Sequence, residues 1–353
     1  MFECFTVAAE TKVLPAVRPT PTETYSVMAS DETLSFQAAY YADQPIHDLD
    51  VQVAVAGKPS EKVTVRAVEC VPCTTPIRGA YDSYYLSHTP FVCPDILRPL
   101  DRRKPYARLN QWGAVWLTVR GLAPGAYPIE ITFRNPAGEV LGVCRYSVQV
   151  LDCKIGKSGI LYTNWFHYDG LAQYYRLPVF SDEYNAILYR FIDSAVEHGM
   201  NMLLIPMFTP PLDTRIGAER LTVQLVDVTV AHGEYSFSFD RLLAFMQTMQ
   251  ARGIRYFEMS HLFTPWGAAA APKVMATVDG DYTRIFGWDT PAVGGEYERF
   301  LRAFLPALKA ALTDAGLLER CYFHSSDEPN DKTLAQYSAA RAVFKSCMPD
   351  VKV

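Results

Sequence analysis

The stretch "SDEYNAILYRFIDSAVEHGMNMLLIPM", residues 181–207, decides how the second half of the chain is read. Tyr184, Ile187, Leu188, Phe191, Ile192 and Ala195 recur at three- and four-residue steps. That is the apolar stripe of an amphipathic helix. Ser181 can cap its start and Gly199 its end. The apolar run "MNMLLIPM" follows at once and has the length of a buried strand. A helix leading into a fully apolar strand is the repeating unit of a parallel sheet covered by helices.

The unit repeats along the chain. Residues 240–252 carry another helical pattern, and "IRYFEMSHLF" reads as the next strand. "YERFLRAFLPALKAALTDAG" has a helical stripe through Tyr297, Phe300, Leu301, Phe304, Leu308 and Leu312. Pro306 lies inside it and is expected to kink or split the helix, because proline removes a backbone donor. "RCYFHSS" is then a strand, "KTLAQYSAARAVFKSC" a helix, and "DVKV" the start of one more strand. With a further strand near residue 163, strands centred near 163, 204, 257 and 323 form four βα units. A closed (β/α)8 TIM-type barrel has eight. The expectation is a catalytic barrel domain over residues 153–353, of which the first four to five strands, about half, are present. A small open sheet is the alternative.

Residues 1–152 have a different period. "TLSFQAAYYA", "DLDVQVAVAG", "KVTVRAVEC", "AVWLTVRGL", "YPIEITFRN" and "CRYSVQVLD" are short alternating or apolar runs bounded by turn residues. "GLAPGAYPIE", with Pro124 and Gly125, and "RNPAGEV", with Asn135, Pro136 and Gly138, are hairpin signals. Such spacing predicts an N-terminal β-sandwich. The fold class is therefore multi-domain, β followed by α/β.

At 353 residues the chain exceeds one ordinary core. A net charge of -5 speaks against a nucleic-acid partner, which wants basic patches. No apolar run is long enough for membrane insertion. "MFECFTVAAETK" has neither the basic nor the apolar region of a secretory signal, so a cytoplasmic location is expected. The eight cysteines are then expected to be reduced. Cys70 and Cys73 form a CxxC, but no second pair follows to complete a zinc site. Strand and turn cysteines are the plainer reading. No phosphate-binding glycine loop appears, and neither a cofactor nor a metal is expected.

In barrels of this kind the active site collects at the C-terminal strand ends. The polar residues there are Asn164, Trp165, His167 and Asp169, then Asp213 and Arg215, then Glu258, His261 and Trp266, then His324, Asp327, Glu328 and Asn330. Trp165, Trp266 and Trp288 can serve as platforms for sugar rings, or simply cap the core. His261 and His324 can bind sugar hydroxyls or orient a carboxylate, or be buried structural histidines. Glu258, if it faces inward, can pair with Arg255 or with a base from another strand.

"CYFHSSDEPNDK", residues 321–332, holds the sharpest signal. Two adjacent carboxylates, Asp327 and Glu328, disfavour each other's charge, which suits a general acid. Most glycosidases instead place two carboxylates on different strands, about 5 to 9.5 Å apart. An adjacent pair fits substrate-assisted hydrolysis. There the 2-acetamido oxygen of the sugar attacks the anomeric carbon, one group holds the acetamide N–H, and the other protonates the leaving oxygen. The structural alternative is a helix N-terminus, where acidic residues favour the dipole.

"TNWFHYDGLA", "HGMNMLLIPMFTPPLDT", "VQLVDV", "FEMSHLFTPWGA", "FGWDT", "FLPAL" and "FHSSDEPN" occur together and in this order. In them the chain resembles glycoside hydrolase family 123 and its DUF4091 relatives over about residues 30–353. The resemblance is specific in the second half and looser in the first. It implies a bacterial β-N-acetylgalactosaminidase-like glycosidase acting on a carbohydrate substrate, a glycan or glycoconjugate. Asp327 would then stabilise the acetamido group as an oxazoline forms, and Glu328 would be acid and then base. Asn164, Trp165, His167, Asp213, Glu258, His261, Trp266, Trp288 and His324 would surround the sugar. The family barrel continues beyond Val353, so part of the pocket is expected to lie outside this chain. Two other readings stay open. One is a two-carboxylate glycosidase acting on 2-hydroxy sugars, with Glu258 or Asp213 as partner to Glu328. The other is a carbohydrate-binding protein without catalysis.

Overall fold

The structure, a computed structural model, describes residues 1–22, 24–74 and 84–353. The chain divides into two compact units, Met1–Lys157 and Ser158–Val353.

The first unit is a sandwich of two five-stranded sheets. Its strands are β1 (Phe2–Ala8), β2 (Tyr25–Ala29), β3 (Thr33–Ala42), β4 (Asp50–Val55), β5 (Lys58–Pro59), β6 (Val63–Cys73), β7 (Phe91–Pro99), β8 (Gln111–Arg120), β9 (Gly125–Arg134) and β10 (Val140–Leu151). One sheet runs β1-β3-β8-β6-β7 and the other β2-β10-β9-β4-β5. Period-two burial explains the stacking. Val115, Leu117 and Val119 on β8 meet Ile129, Ile131 and Phe133 on β9 and Tyr146, Val148 and Val150 on β10 in one core. Phe36 stacks on Tyr146 at 4.0 Å between ring centroids.

The two turn signals resolve differently. "RNPAGEV" is a hairpin between β9 and β10, with the Gly138 amide donating to the Asn135 carbonyl at 2.9 Å. "GLAPGAYPIE" is not a hairpin, because β8 and β9 belong to different sheets. Its proline and glycine mark a crossover, a distinction that turn chemistry alone does not carry. Cys70 and Cys73 sit on β6, and the cysteines are free thiols.

The second unit begins with α1 (Tyr168–Tyr175) and α2 (Asp182–Glu197). Ser181 Oγ accepts the Tyr184 amide at 3.2 Å, the expected cap. Tyr184, Leu188 and Ile192 are buried, while Phe191 is exposed at the edge of the stripe. Then come β11 (Met202–Ile205), β12 (Asp227–Ala231), β13 (Glu234–Ser238), α3 (Asp240–Ala251) and β14 (Tyr256–Met259). They are followed by β15 (Val274–Val278), β16 (Asp281–Phe286), α4 (Glu296–Asp314), β17 (Cys321–Phe323) and α5 (Leu334–Cys347).

A closed barrel is not what the described residues form. They make an open parallel sheet, β11-β14-β17, and a separate four-stranded sheet, β13-β12-β15-β16. The strand expected near 163 is absent. There the Tyr162 carbonyl accepts the amides of Asn201 and Met202, both at 3.1 Å. The Asn201 side chain ties the Tyr162 amide at 3.0 Å and the Ile160 carbonyl at 2.8 Å. A side-chain clamp stands where a ladder would run. At the other edge Lys352 bridges Tyr322 in parallel. Pro306 neither splits nor ends α4, which runs unbroken over 19 residues. Seven buried side chains, from Tyr297 to Leu312, hold it against the core and outweigh the lost backbone bond. No helix is long and apolar enough to cross a membrane among the described residues.

Candidate active site

Glu258 lies inside β14, opposite Leu204 of β11 and Tyr322 of β17, and is 3% exposed. A carboxylate in that place is tolerable only when fully hydrogen-bonded. Oε2 accepts Thr163 Oγ1 at 3.0 Å. Oε1 accepts the Trp165 indole N–H at 2.9 Å and pairs with His324 Nε2. Burial pushes the Glu258 pKa up, but the hydrogen bonds from His324 and Trp165, the His324 charge and the Thr163 hydroxyl outweigh it and leave it lowered. Glu258 is therefore an ionised clamp rather than a proton donor. The Arg255 pairing is not formed, since that guanidinium donates to the Ser158 carbonyl at 2.9 Å. Three places apart along extended chain, the two side chains face opposite sides.

The clamp orders an aromatic corner. His261 stacks on His324 at 4.5 Å and 21°, and Trp165 stands edge-on to both, at 5.3 and 6.3 Å. Trp165 remains 39% exposed, so the corner is open on the indole side. His261 is 1% exposed and neither ring nitrogen has a hydrogen-bond partner among the described residues. Burial, then the neighbouring His324 charge, drive its pKa down to about 3, with Glu258 offsetting part.

That shift has a sign. Between pH 6.5 and 3 the unfolded chain binds a proton on His261 that the fold refuses, so stability falls as pH falls. From pH 6.5 to 5, above the main carboxylate range, the expected loss is about 1.5 kcal/mol from this residue alone. Urea unfolding at both pH values checks it: His261→Phe should flatten the dependence, and an unchanged slope would contradict the assignment.

A second cluster surrounds Arg220, a residue that no sequence signal singled out. Its guanidinium grips Asp169 with two bonds of 2.7 and 2.9 Å, touches His167 Nδ1 at 2.9 Å and donates to the Leu212 carbonyl. A guanidinium only donates, so His167 Nδ1 accepts and Nε2 carries the proton toward Asp213 at 3.1 Å. Asn164 donates to the Tyr162 hydroxyl at 2.9 Å.

Asp327 and Glu328 occupy the loop between β17 and α5. The helix starts at Leu334 with no acidic residue in its first turn, so the dipole explanation fails. Among the described residues neither carboxylate has a hydrogen-bond or ion-pair partner; Asp327 is half-buried and Glu328 exposed. The loop is nonetheless fixed. The Asp327 carbonyl accepts the Trp266 amide at 2.9 Å, and Ser326 Oγ donates to the Thr264 carbonyl at 2.8 Å. Gly267, at φ +116°, admits Thr333: a Cβ there would lie 2.3 Å from Thr333 Cβ. Glu328 itself has φ +45° ahead of Pro329. A non-glycine residue pays about 1–2 kcal/mol for that conformation, a kind of strain concentrated at functional sites.

The rim proposed from sequence thus separates into parts. Trp165, Glu258, His261 and His324 form one contact group, and Trp266 abuts Asp327 through the backbone. His167 and Asp213 join Arg220. Trp288 instead lines a cleft of about 170 Å³ with Pro210, Pro211, Arg220, Lys273 and Arg284. No group of three or more His, Cys, Asp or Glu is arranged to hold a metal among the described residues.

The family profile described as "Glycoside hydrolase 123, catalytic domain" matches residues 165–353, more than half of the chain. The chain belongs to glycoside hydrolase family 123. The structure of a family 123 glycoside hydrolase from Clostridium perfringens, described for glycolipid glycan hydrolysis, has a similar fold, with a TM-score of 0.71 at 12% identity. The similarity covers 100% of this family 123 chain and 61% of the clostridial one. A CARDB domain from Pyrococcus furiosus overlaps 42% of the chain, and 94% of its own length, at 8% identity with a TM-score of 0.23, too low to carry an argument. No curated protein matches the chain.

Proposed function

We propose that this family 123 protein is a retaining glycosidase that releases terminal β-linked N-acetylhexosamine, N-acetylgalactosamine first, using the substrate's own acetamide as nucleophile. The observation that carries the reading is the contrast between carboxylates. Asp327 and Glu328 are adjacent, unpaired among the described residues and held by a knitted loop. Glu258, the partner that a two-carboxylate mechanism would want, has both oxygens occupied. Asp213 is engaged by His167.

In this mechanism Asp327 accepts the acetamide N–H, which raises electron density on its carbonyl oxygen. That oxygen forms a bond to C1 as the bond from C1 to the leaving oxygen breaks, and Glu328 gives its proton to the leaving group. The oxazolinium proton rests on Asp327. Glu328, now a carboxylate, takes a proton from water as the water attacks C1, and Asp327 returns its proton to the nitrogen as the ring reopens. Two attacks give net retention. Trp165, aimed by Glu258, offers a face for the sugar ring, and His324 lies three residues before Asp327. We read the parallel order β11-β14-β17, extended by Lys352, as an arc of the barrel expected for the family.

The test is nitrophenol release from the β-glycoside of N-acetylgalactosamine by the protein and by Glu328→Gln. Slower release by the substituted protein is expected. Equal release by both contradicts the assignment.

A further inference from the structure

The Trp288 cleft is a site the reaction above does not use. Neither Asp327, Glu328, Glu258 nor His324 lines it. Pro210, Pro211 and the Trp288 indole give it apolar walls. The indole N–H has no protein partner among the described residues. Facing them is a ribbon of alternating charge. Lys273 Nζ lies 3.1 Å from Glu219, Glu219 lies 3.2 Å from Arg284, and Arg284 holds Asp289 with bonds of 3.1 and 3.0 Å. Arg220, the remaining cation, is neutralised by Asp169 behind the cleft.

Two properties follow. The head groups are locked by one another, so their free donors and acceptors are fixed before any ligand arrives. The ribbon balances two positive groups against two negative ones, so the cleft is highly polar without net charge. A phosphate or a carboxylate gains little there. A ligand with one apolar face and a rim of hydroxyls gains on both walls. The volume of about 170 Å³ is that of one small ring rather than a chain.

We propose that the Trp288 cleft is a subsite for a neutral pyranose of the glycan, distinct from the sugar whose bond is cleaved. The inference rests on the glycosidase reading only for the kinetic part of its test. The protein and Trp288→Ala are assayed on two substrates with the same terminal sugar, its nitrophenyl glycoside and a neutral trisaccharide. The loss of kcat/KM on the trisaccharide should exceed that on the nitrophenyl glycoside by about tenfold, most of it in KM, with Trp288→Phe losing less. Equal losses on both substrates would overturn the proposal, because the cleft would then belong to the cleaved sugar. No loss on either would overturn it as well. Calorimetric titration of the trisaccharide into Glu328→Gln, with and without Trp288→Ala, reads the same subsite without turnover. Binding that Trp288→Ala leaves unweakened counts against the proposal even where the mechanism stands, and weakened binding supports it even where the mechanism fails. Thermal unfolding within about 2 °C of the parent certifies the variants.

Discussion

Glu328→Gln is expected to lower kcat on a glycan substrate by about 10²–10⁴, the usual range for a lost general acid–base group. The reason is the double use of one side chain. Glutamine keeps the shape and the loop, but it can neither give the proton that the leaving oxygen needs nor take one from water. The loss should depend on the leaving group. An alkoxide of a sugar needs protonation, whereas nitrophenolate leaves with little help, so the first step should suffer less with the aryl glycoside. A structural role in the loop would lower both substrates together. Steady-state kinetics on the pair, with circular dichroism to confirm folding, separates the two. An equal fall on both substrates with intact structure would remove Glu328 from the acid role.

Glu258→Ala is expected to act on stability first. The carboxylate serves three donors from different segments, Thr163, Trp165 and His324, in a buried place. Removing one partner of a buried, hydrogen-bonded charge pair costs about 3–5 kcal/mol, because the remaining groups are left without a counterpart. In a unit of this size that corresponds to a fall in melting temperature of about 10 °C. Glu258→Gln should cost less, since the amide oxygen still accepts one or two of the donors. Differential scanning calorimetry reads both. The central idea about Glu258 is that it holds Trp165 and His324 and does not touch the sugar. If Glu258→Ala leaves the melting temperature within a degree or two while abolishing turnover, the residue belongs to the chemistry instead.

Much of this arrangement was legible in the sequence because its signals are local. Period-two alternation in β8, β9 and β10 specifies the sandwich, and the stripe ending in Gly199 specifies α2 and the strand after it. The Asp327–Glu328 pair was legible because two adjacent carboxylates are hard to explain as a turn. What escaped depends on long-range geometry. The β12–β13 and β15–β16 hairpins did leave a signal, His232-Gly233 and Asp279-Gly280, both with positive φ, which is the dipeptide chemistry of tight hairpins. β12, β13 and β16 are short and have at most one buried residue each, so no apolar period drew attention to them. Arg220 had no signal, since its partners Asp169 and His167 are about 50 residues away. That Trp288 lines a cleft which neither Asp327 nor Glu328 lines is likewise a matter of long-range packing.

The most direct measurement compares kcat/KM for nitrophenyl β-N-acetylgalactosaminide and nitrophenyl β-galactoside. The two substrates differ only in the acetamide at C2. If that acetamide is the nucleophile, the galactoside lacks an attacking group, and Glu258 cannot replace it with both oxygens occupied. A ratio of at least about 10³ in favour of the acetamido sugar is expected, in line with the loss of an intramolecular nucleophile. Comparable turnover of the two sugars would contradict the account, because a carboxylate of the protein would then have to make the bond to C1.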